Sequence, residues 1–110
     1  MNIEKSTVWA YQQMFDNIDL GEKDLLDVGG GKAIAGFLYG KSLRHYVCID
    51  TYQGRGNPSE NFQITQNKIK SENIRNMEIT RMDLEGFYKH NSGRTFEIVL
   101  ASNVLHHIFS

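Results

Sequence analysis

Three acids and a stretch of bare backbone carry the chemistry that this chain offers. The run Leu25-Leu26-Asp27-Val28 turns on Gly29-Gly30-Gly31 into Lys32, Ala33 and further apolar residues. Glycine has no Cβ, so a ligand can lie directly against the peptide groups of such a turn. The N–H groups that open a following helix suit an anionic ligand group. A second acid, Asp50, closes the apolar run Tyr46-Val47-Cys48-Ile49, and a third, Asp83, follows Met77 to Met82. A carboxylate has two acceptor oxygens and so matches a vicinal diol. A glycine turn with an acid about 20 residues further on is the layout of a nucleoside-binding crevice. Each acid also has a plainer use: Asp27 as a helix cap, Asp50 and Asp83 as turn formers.

These groups need a frame. Val8, Tyr11, Phe15 and Ile18, widened by Trp9 and Met14, recur at helical spacing and predict a helix over the first 17 residues. A strand follows at 24–28. Ala33, Ile34, Phe37 and Leu38 mark one face of a short helix that stops near Gly40, and residues 46–50 form a second strand. Asn57 and Pro58 suit the cap and first turn of a helix reaching Ser71, with Phe62, Ile64 and Ile69 to bury. Met77 to Met82 alternates as a third strand. After a short connection, Phe96 to Ala101 is apolar throughout, as in a strand buried on both faces of a parallel sheet. The order implies an α/β fold, a Rossmann-like parallel sheet with flanking helices. Ligands of such sheets bind beyond the carboxyl ends of the strands. Asp27, Asp50, Asp83 and Ser102 all fall at or just past such ends.

Composition narrows the partners. The chain has 110 residues, a formal net charge of -1 and scattered Lys and Arg, which gives no electrostatic case for nucleic acid. One cysteine, Cys48, allows no internal disulfide and sits where a buried apolar residue belongs. No signal-like segment or membrane-spanning run is visible, and a soluble cytoplasmic protein is expected. His106 and His107 are adjacent, do not converge on one ion, and predict no metal site.

Four segments in order, Leu25 to Gly31, Ile49-Asp50, Met82-Asp83-Leu84 and Phe96 to Ile108, resemble the sequential motifs of class I S-adenosylmethionine-dependent methyltransferases. The last resembles the small-molecule branch of that family. The resemblance implies S-adenosyl-L-methionine as cofactor and a small-molecule methyl acceptor. It implies that Gly29, Gly30 and Gly31 approach the methionine tail and that Asp27 helps hold its ammonium, directly or through water. It implies that Asp50 takes the ribose hydroxyls, that Asp83 takes the adenine amino group and that Leu84 gives its N–H to the ring. The backbone carbonyl of Ser102 falls where the ammonium is also met. No catalytic residue is implied, because a sulfonium is already a good leaving group and alignment does most of the work.

Two features depart from the pattern. Ala33 stands where the family has a third glycine, which is expected to set the helix slightly further from the sheet. The family's sheet continues past a fourth strand, so residues 1–110 read as a single, incomplete cofactor-binding domain cut after strand four. The bare edge of Phe96 to Ala101 would then invite self-association or a covering C-terminal half. Other readings fit less well. A P-loop needs glycine at Leu26 and Ser or Thr at Ala33, and a dinucleotide fingerprint needs glycine at Ile34. No Pro-Pro segment follows strand four, as the amino-methylases of nucleic acid bases would have. The alternative from another class is a non-catalytic module that binds the same cofactor.

Overall fold

The computed structural model describes residues 3–53 and 58–102. In chain order they form α1 (Ile3–Phe15), β1 (Asp24–Val28), α2 (Ile34–Tyr39) with a 3-10 turn at Gly40–Ser42, β2 (His45–Asp50), α3 (Pro58–Ser71), β3 (Met77–Arg81), α4 (Leu84–His90) and β4 (Ile98–Ala101). The four strands are parallel in the order β3-β2-β1-β4. This is the Rossmann-like α/β sheet that the segment order implies, with β1 in its interior. All strands therefore end on one rim, where the glycine turn, Asp50 and Asp83 emerge.

Register sorts the strand residues onto two faces. Leu25 lies beside Tyr46 and Ile98, and Asp27 beside Cys48 and Leu100. Tyr46 and Cys48 continue to Met77 and Ile79. On this face Tyr11 and Phe15 of α1, Ala35 of α2 and Ile69 of α3 close the larger core. The opposite face holds a smaller cluster, Leu26, Val47 and Ile49 under Phe87 of α4. Each fully buried large side chain contributes about 1.5–3 kcal/mol. The α4 helix replaces the short connection expected from sequence. Its cues were Asp83 at the N-cap, Glu85 in the first turn, and Lys89 and His90 in the last.

Two predicted helix faces hold only in part. In α1 it is Ala10, Tyr11 and Phe15 that are buried, whereas Trp9, Met14 and Ile18 are exposed. The helix ends at Phe15, short of the expected boundary. In α3 the bounds are as expected, but Thr65 is buried in place of the exposed Ile64. Phe62, Thr65 and Ile69 form the i, i+3, i+7 stripe, and Ile64 stands about 100° off it. Asn57 lies outside the described residues.

The α2 helix packs closely on the sheet, contrary to the expectation drawn from Ala33. A Cβ on Gly36 would lie 2.6 Å from both Tyr46 Cε1 and Met77 Cε. Close approach is thus supplied three residues later than expected, and Leu38, about 200° round from Gly36, points out and is exposed. The fourth strand is shorter than expected and is covered on one face. Leu100 is buried, but Val99, beside Leu26, is 62% exposed. Phe87 covers Leu26, Val47 and Ile49 and leaves β4 open on that side. At the far end of the sheet Arg44 pairs with Asp24 (2.9 Å) and Glu97 (3.2 Å), joining β2 and β1 to the segment before β4.

Candidate functional site

The rim at the ends of β1, β2 and β3 carries a shallow crevice of about 210 Å³ lined by Val28, Gly29, Ile49, Asp50, Thr51, Met82, Asp83 and Leu84. Two acids stand among apolar side chains and bare backbone. Asp50 is the better organised. Its Oδ2 accepts the Gly31 N–H (3.0 Å) and its Oδ1 accepts the Tyr52 N–H (2.8 Å). Each oxygen has a second lone pair for a ligand hydroxyl. Gly31 itself has φ +53, a left-handed conformation in which glycine is unstrained.

Asp83 lies at the same crevice, but one oxygen already works locally. Its Oδ1 accepts the Gly86 N–H (2.7 Å) and caps α4. The plain structural use of this acid is therefore real, and the cap bond does not engage Oδ2. Leu84, the first residue of α4, is exposed beside it.

Asp27 is not on the rim surface. It is fully buried on the larger core face, beneath the glycine turn. A Cβ on Gly30 would lie 2.6 Å from Cys48 Sγ and 2.7 Å from Asp27 Oδ2, so the turn rests directly on these two side chains. Tyr46 donates its hydroxyl to Asp27 Oδ2 at 2.5 Å. Asp27 Oδ1 makes no hydrogen bond among the described residues. Burial pushes the Asp27 carboxyl up to about 6, and attraction from Ser102 and Tyr46 offsets part of the rise. The same burial, together with the nearby Asp27 charge, raises the Tyr11 hydroxyl to about 12 and holds Tyr46 well above the ordinary phenol range. Both phenols therefore keep their protons.

Ser102 is buried at the end of β4, where its hydroxyl pairs with Tyr11 of α1 at 2.6 Å. Its side chain thus joins the floor beneath the turn and does not face the crevice. His106 and His107 lie outside the described residues. No group of three or more His, Cys, Asp or Glu among the described residues could hold a metal ion. No described helix is long and apolar enough to cross a membrane.

Tyr46 and Tyr11 are polar residues that strand and helix patterns hide, whereas Tyr52 stands in the loop after β2, where its sequence position suits either stacking on a ligand or covering the loop. In a period-two or period-3.6 pattern a tyrosine counts as apolar, and its hydroxyl shows only when a partner is in reach.

No family model and no curated protein sequence matches the chain. Its structure is similar to a chain of the Trypanosoma brucei PRMT1 enzyme–prozyme heterotetrameric complex with AdoHcy, at a TM-score of 0.66 and 16% identity. The likeness is one of fold. It covers 87% of this chain and 28% of the solved one, so the sequence spans about a quarter of its neighbour's length. The Rossmann-like assignment rests on both this likeness and the strand order.

Proposed function

We propose that this chain binds S-adenosyl-L-methionine as the cofactor-binding part of a class I methyltransferase. The observation that carries the reading is Asp50, anchored by two backbone N–H groups at the mouth of an apolar crevice beside the glycine turn. An anchored carboxylate with spare lone pairs suits a ribose diol, and Ile49, Met82 and Leu84 suit a flat base. The structural neighbour was solved with AdoHcy, which supports the same cofactor class here.

The residues fit the group. Gly29, Gly30 and Gly31 offer a turn without side chains to the amino-acid tail. Asp27 Oδ1 is a buried acceptor without a hydrogen bond beneath it, suited to a water or an ammonium. Asp50 would hold the ribose, and Asp83 and Leu84 would meet the base. Ser102 contributes through its backbone carbonyl, since its hydroxyl is engaged by Tyr11. When bound, the cofactor supplies an electrophilic sulfonium methyl. These residues bind and orient it; no described side chain need act as a base.

We infer a small-molecule acceptor from the resemblance of residues 96–108 to that branch of the family. Residues 103–108 of that segment lie outside the described part. Titration calorimetry with S-adenosylhomocysteine and with NADH tests the cofactor. Binding of the first and not the second is expected, and the reverse result ends the proposal. Transfer of labelled methyl to small-molecule pools, compared with protein, tests the acceptor.

A further inference from the structure

Beside the acids, one tyrosine ties the rim together. Tyr52 is buried, yet it follows Asp50 by two residues in a loop and has φ +55, an uncommon conformation for a residue with a side chain. That conformation costs on the order of 1–2 kcal/mol and persists where surrounding contacts enforce it. Three main contacts do so here, beside a weaker one of the hydroxyl with Cys48 Sγ at 3.9 Å. The Tyr52 N–H bonds to Asp50 Oδ1, its ring meets Phe62 of α3 edge-on at 5.0 Å between centroids, and its hydroxyl donates to the Gly31 carbonyl at 2.6 Å. The third contact closes a ring of interactions, because Gly31 donates its own N–H to Asp50 Oδ2. Gly31 is therefore held at both its N–H and its carbonyl, by the loop that carries the ribose-type acid.

We propose that Tyr52 is a positioning residue that locks the glycine turn to Asp50, so that the amino-acid tail and the ribose of one cofactor are recognised in a fixed spacing. This rests on the cofactor reading above and extends it. A glycine turn is soft by nature, and each peptide in it can rotate at little steric cost. Bonding the Gly31 carbonyl fixes the plane of the Gly31–Lys32 peptide. The turn then meets its ligand without having to be ordered first, which is how preorganisation adds affinity. The ring of Tyr52 faces Phe62 and its hydroxyl faces Gly31, so neither is spent on stacking against a base.

Tyr52→Phe removes the bond to the Gly31 carbonyl and the weaker 3.9 Å contact of the same hydroxyl with Cys48 Sγ. It leaves the Tyr52 N–H on Asp50 and the ring on Phe62. Two readouts apply. In the ligand-free protein, amide hydrogen exchange across residues 29–32 should speed about tenfold while exchange in β1 and β2 stays the same, the scale of one lost hydrogen bond. In calorimetry, S-adenosylhomocysteine should bind about tenfold more weakly. 5′-Methylthioadenosine, which has the same adenosine and thioether without the amino-acid tail, should change less than twofold. A merely structural tyrosine would weaken both ligands alike and speed exchange throughout the sheet, and either result overturns the proposal. So does unchanged exchange with unchanged affinity. Wild-type protein that binds neither ligand, while its Tyr52→Phe variant still shows the local exchange effect, removes the cofactor reading and leaves the lock in place.

Discussion

Asp27 and Asp50 close neighbouring strands, but one belongs to the floor under the glycine turn and the other to the rim above it. The floor is a polar cluster sealed in the larger core. Asp27 is held there by Tyr46, with Tyr11, Ser102 and Cys48 around it. The rim is partly open, and its groups are tied by backbone N–H donors and the Tyr52 hydroxyl. Burial separates the two roles. A carboxylate in the floor loses its solvation and holds its proton to a higher pH, which suits it to shaping and supporting the turn. A carboxylate on the rim keeps its water and can exchange it for a ligand hydroxyl.

Five variants test that contrast and the sheet that carries it. The largest effect is expected from Gly30→Ala, where the new methyl would press on Cys48 Sγ and Asp27 Oδ2. Urea denaturation should show a loss of about 3 kcal/mol, at the upper end for overpacking. A neutral result would mean that the turn does not rest on the floor.

Asp27→Asn comes next and is read from pH. Burial raises the folded carboxyl to about 6, above its ordinary value. Near pH 3 both folded and unfolded chains hold the proton. As pH rises towards 6, the unfolded chain loses it first, so stability falls through that window and levels off above it. The drop is at most ~3 kcal/mol, at about 1.4 kcal/mol for each pH unit between the two values. Asp24, which Arg44 holds below its ordinary range, contributes in the opposite direction, so the variant must be compared with wild type at each pH. Asn at position 27 should remove the fall. An unchanged profile would place Asp27 in contact with water.

Asp50→Ala is expected to spare most of the fold and weaken S-adenosylhomocysteine by ~1.5–3 kcal/mol, the worth of hydrogen bonds to a charged group. That is roughly ten- to a hundredfold in Kd. Equal affinity in the variant would remove Asp50 from the site. Asp83→Ala should cost ~1 kcal/mol of stability through loss of the α4 cap. If it weakens ligand binding more than it destabilises the fold, Asp83 serves the rim as well as the helix. The smallest change in stability, within ~0.5 kcal/mol, is expected for Val99→Lys on the open face of the edge strand β4. Light scattering on that variant and on wild type tests whether the edge drives self-association; identical monomers would show that it does not.

Much of this architecture was legible. Pro58 and Ser71 bound α3 as the capping and polarity pattern predicts, and the four apolar runs became four parallel strands. The α4 helix was missed because Leu84, Phe87 and Tyr88 are too few to show a helical stripe, although Asp83 and Lys89 mark its ends. The close packing of α2 was misplaced because Gly36, three residues past Ala33, makes the contact with Tyr46 and Met77. Asp27 is legible in the sequence as a candidate, but its burial is not. Had the alternation of Leu25 and Asp27 been paired with that of Tyr46 and Cys48, it would have placed the acid on the core face.

Local order alone determined the strands, the glycine turn and the acids at or near the ends of three of them, because backbone conformation and hydrophobic period act over a few residues. Tertiary structure decided which acid faces solvent and which is sealed. It also decided that Tyr52 reaches back across 21 positions to the Gly31 carbonyl. Burial and hydrogen-bond partners depend on segments far apart in the chain, and only a folded sheet brings those segments within reach of one another.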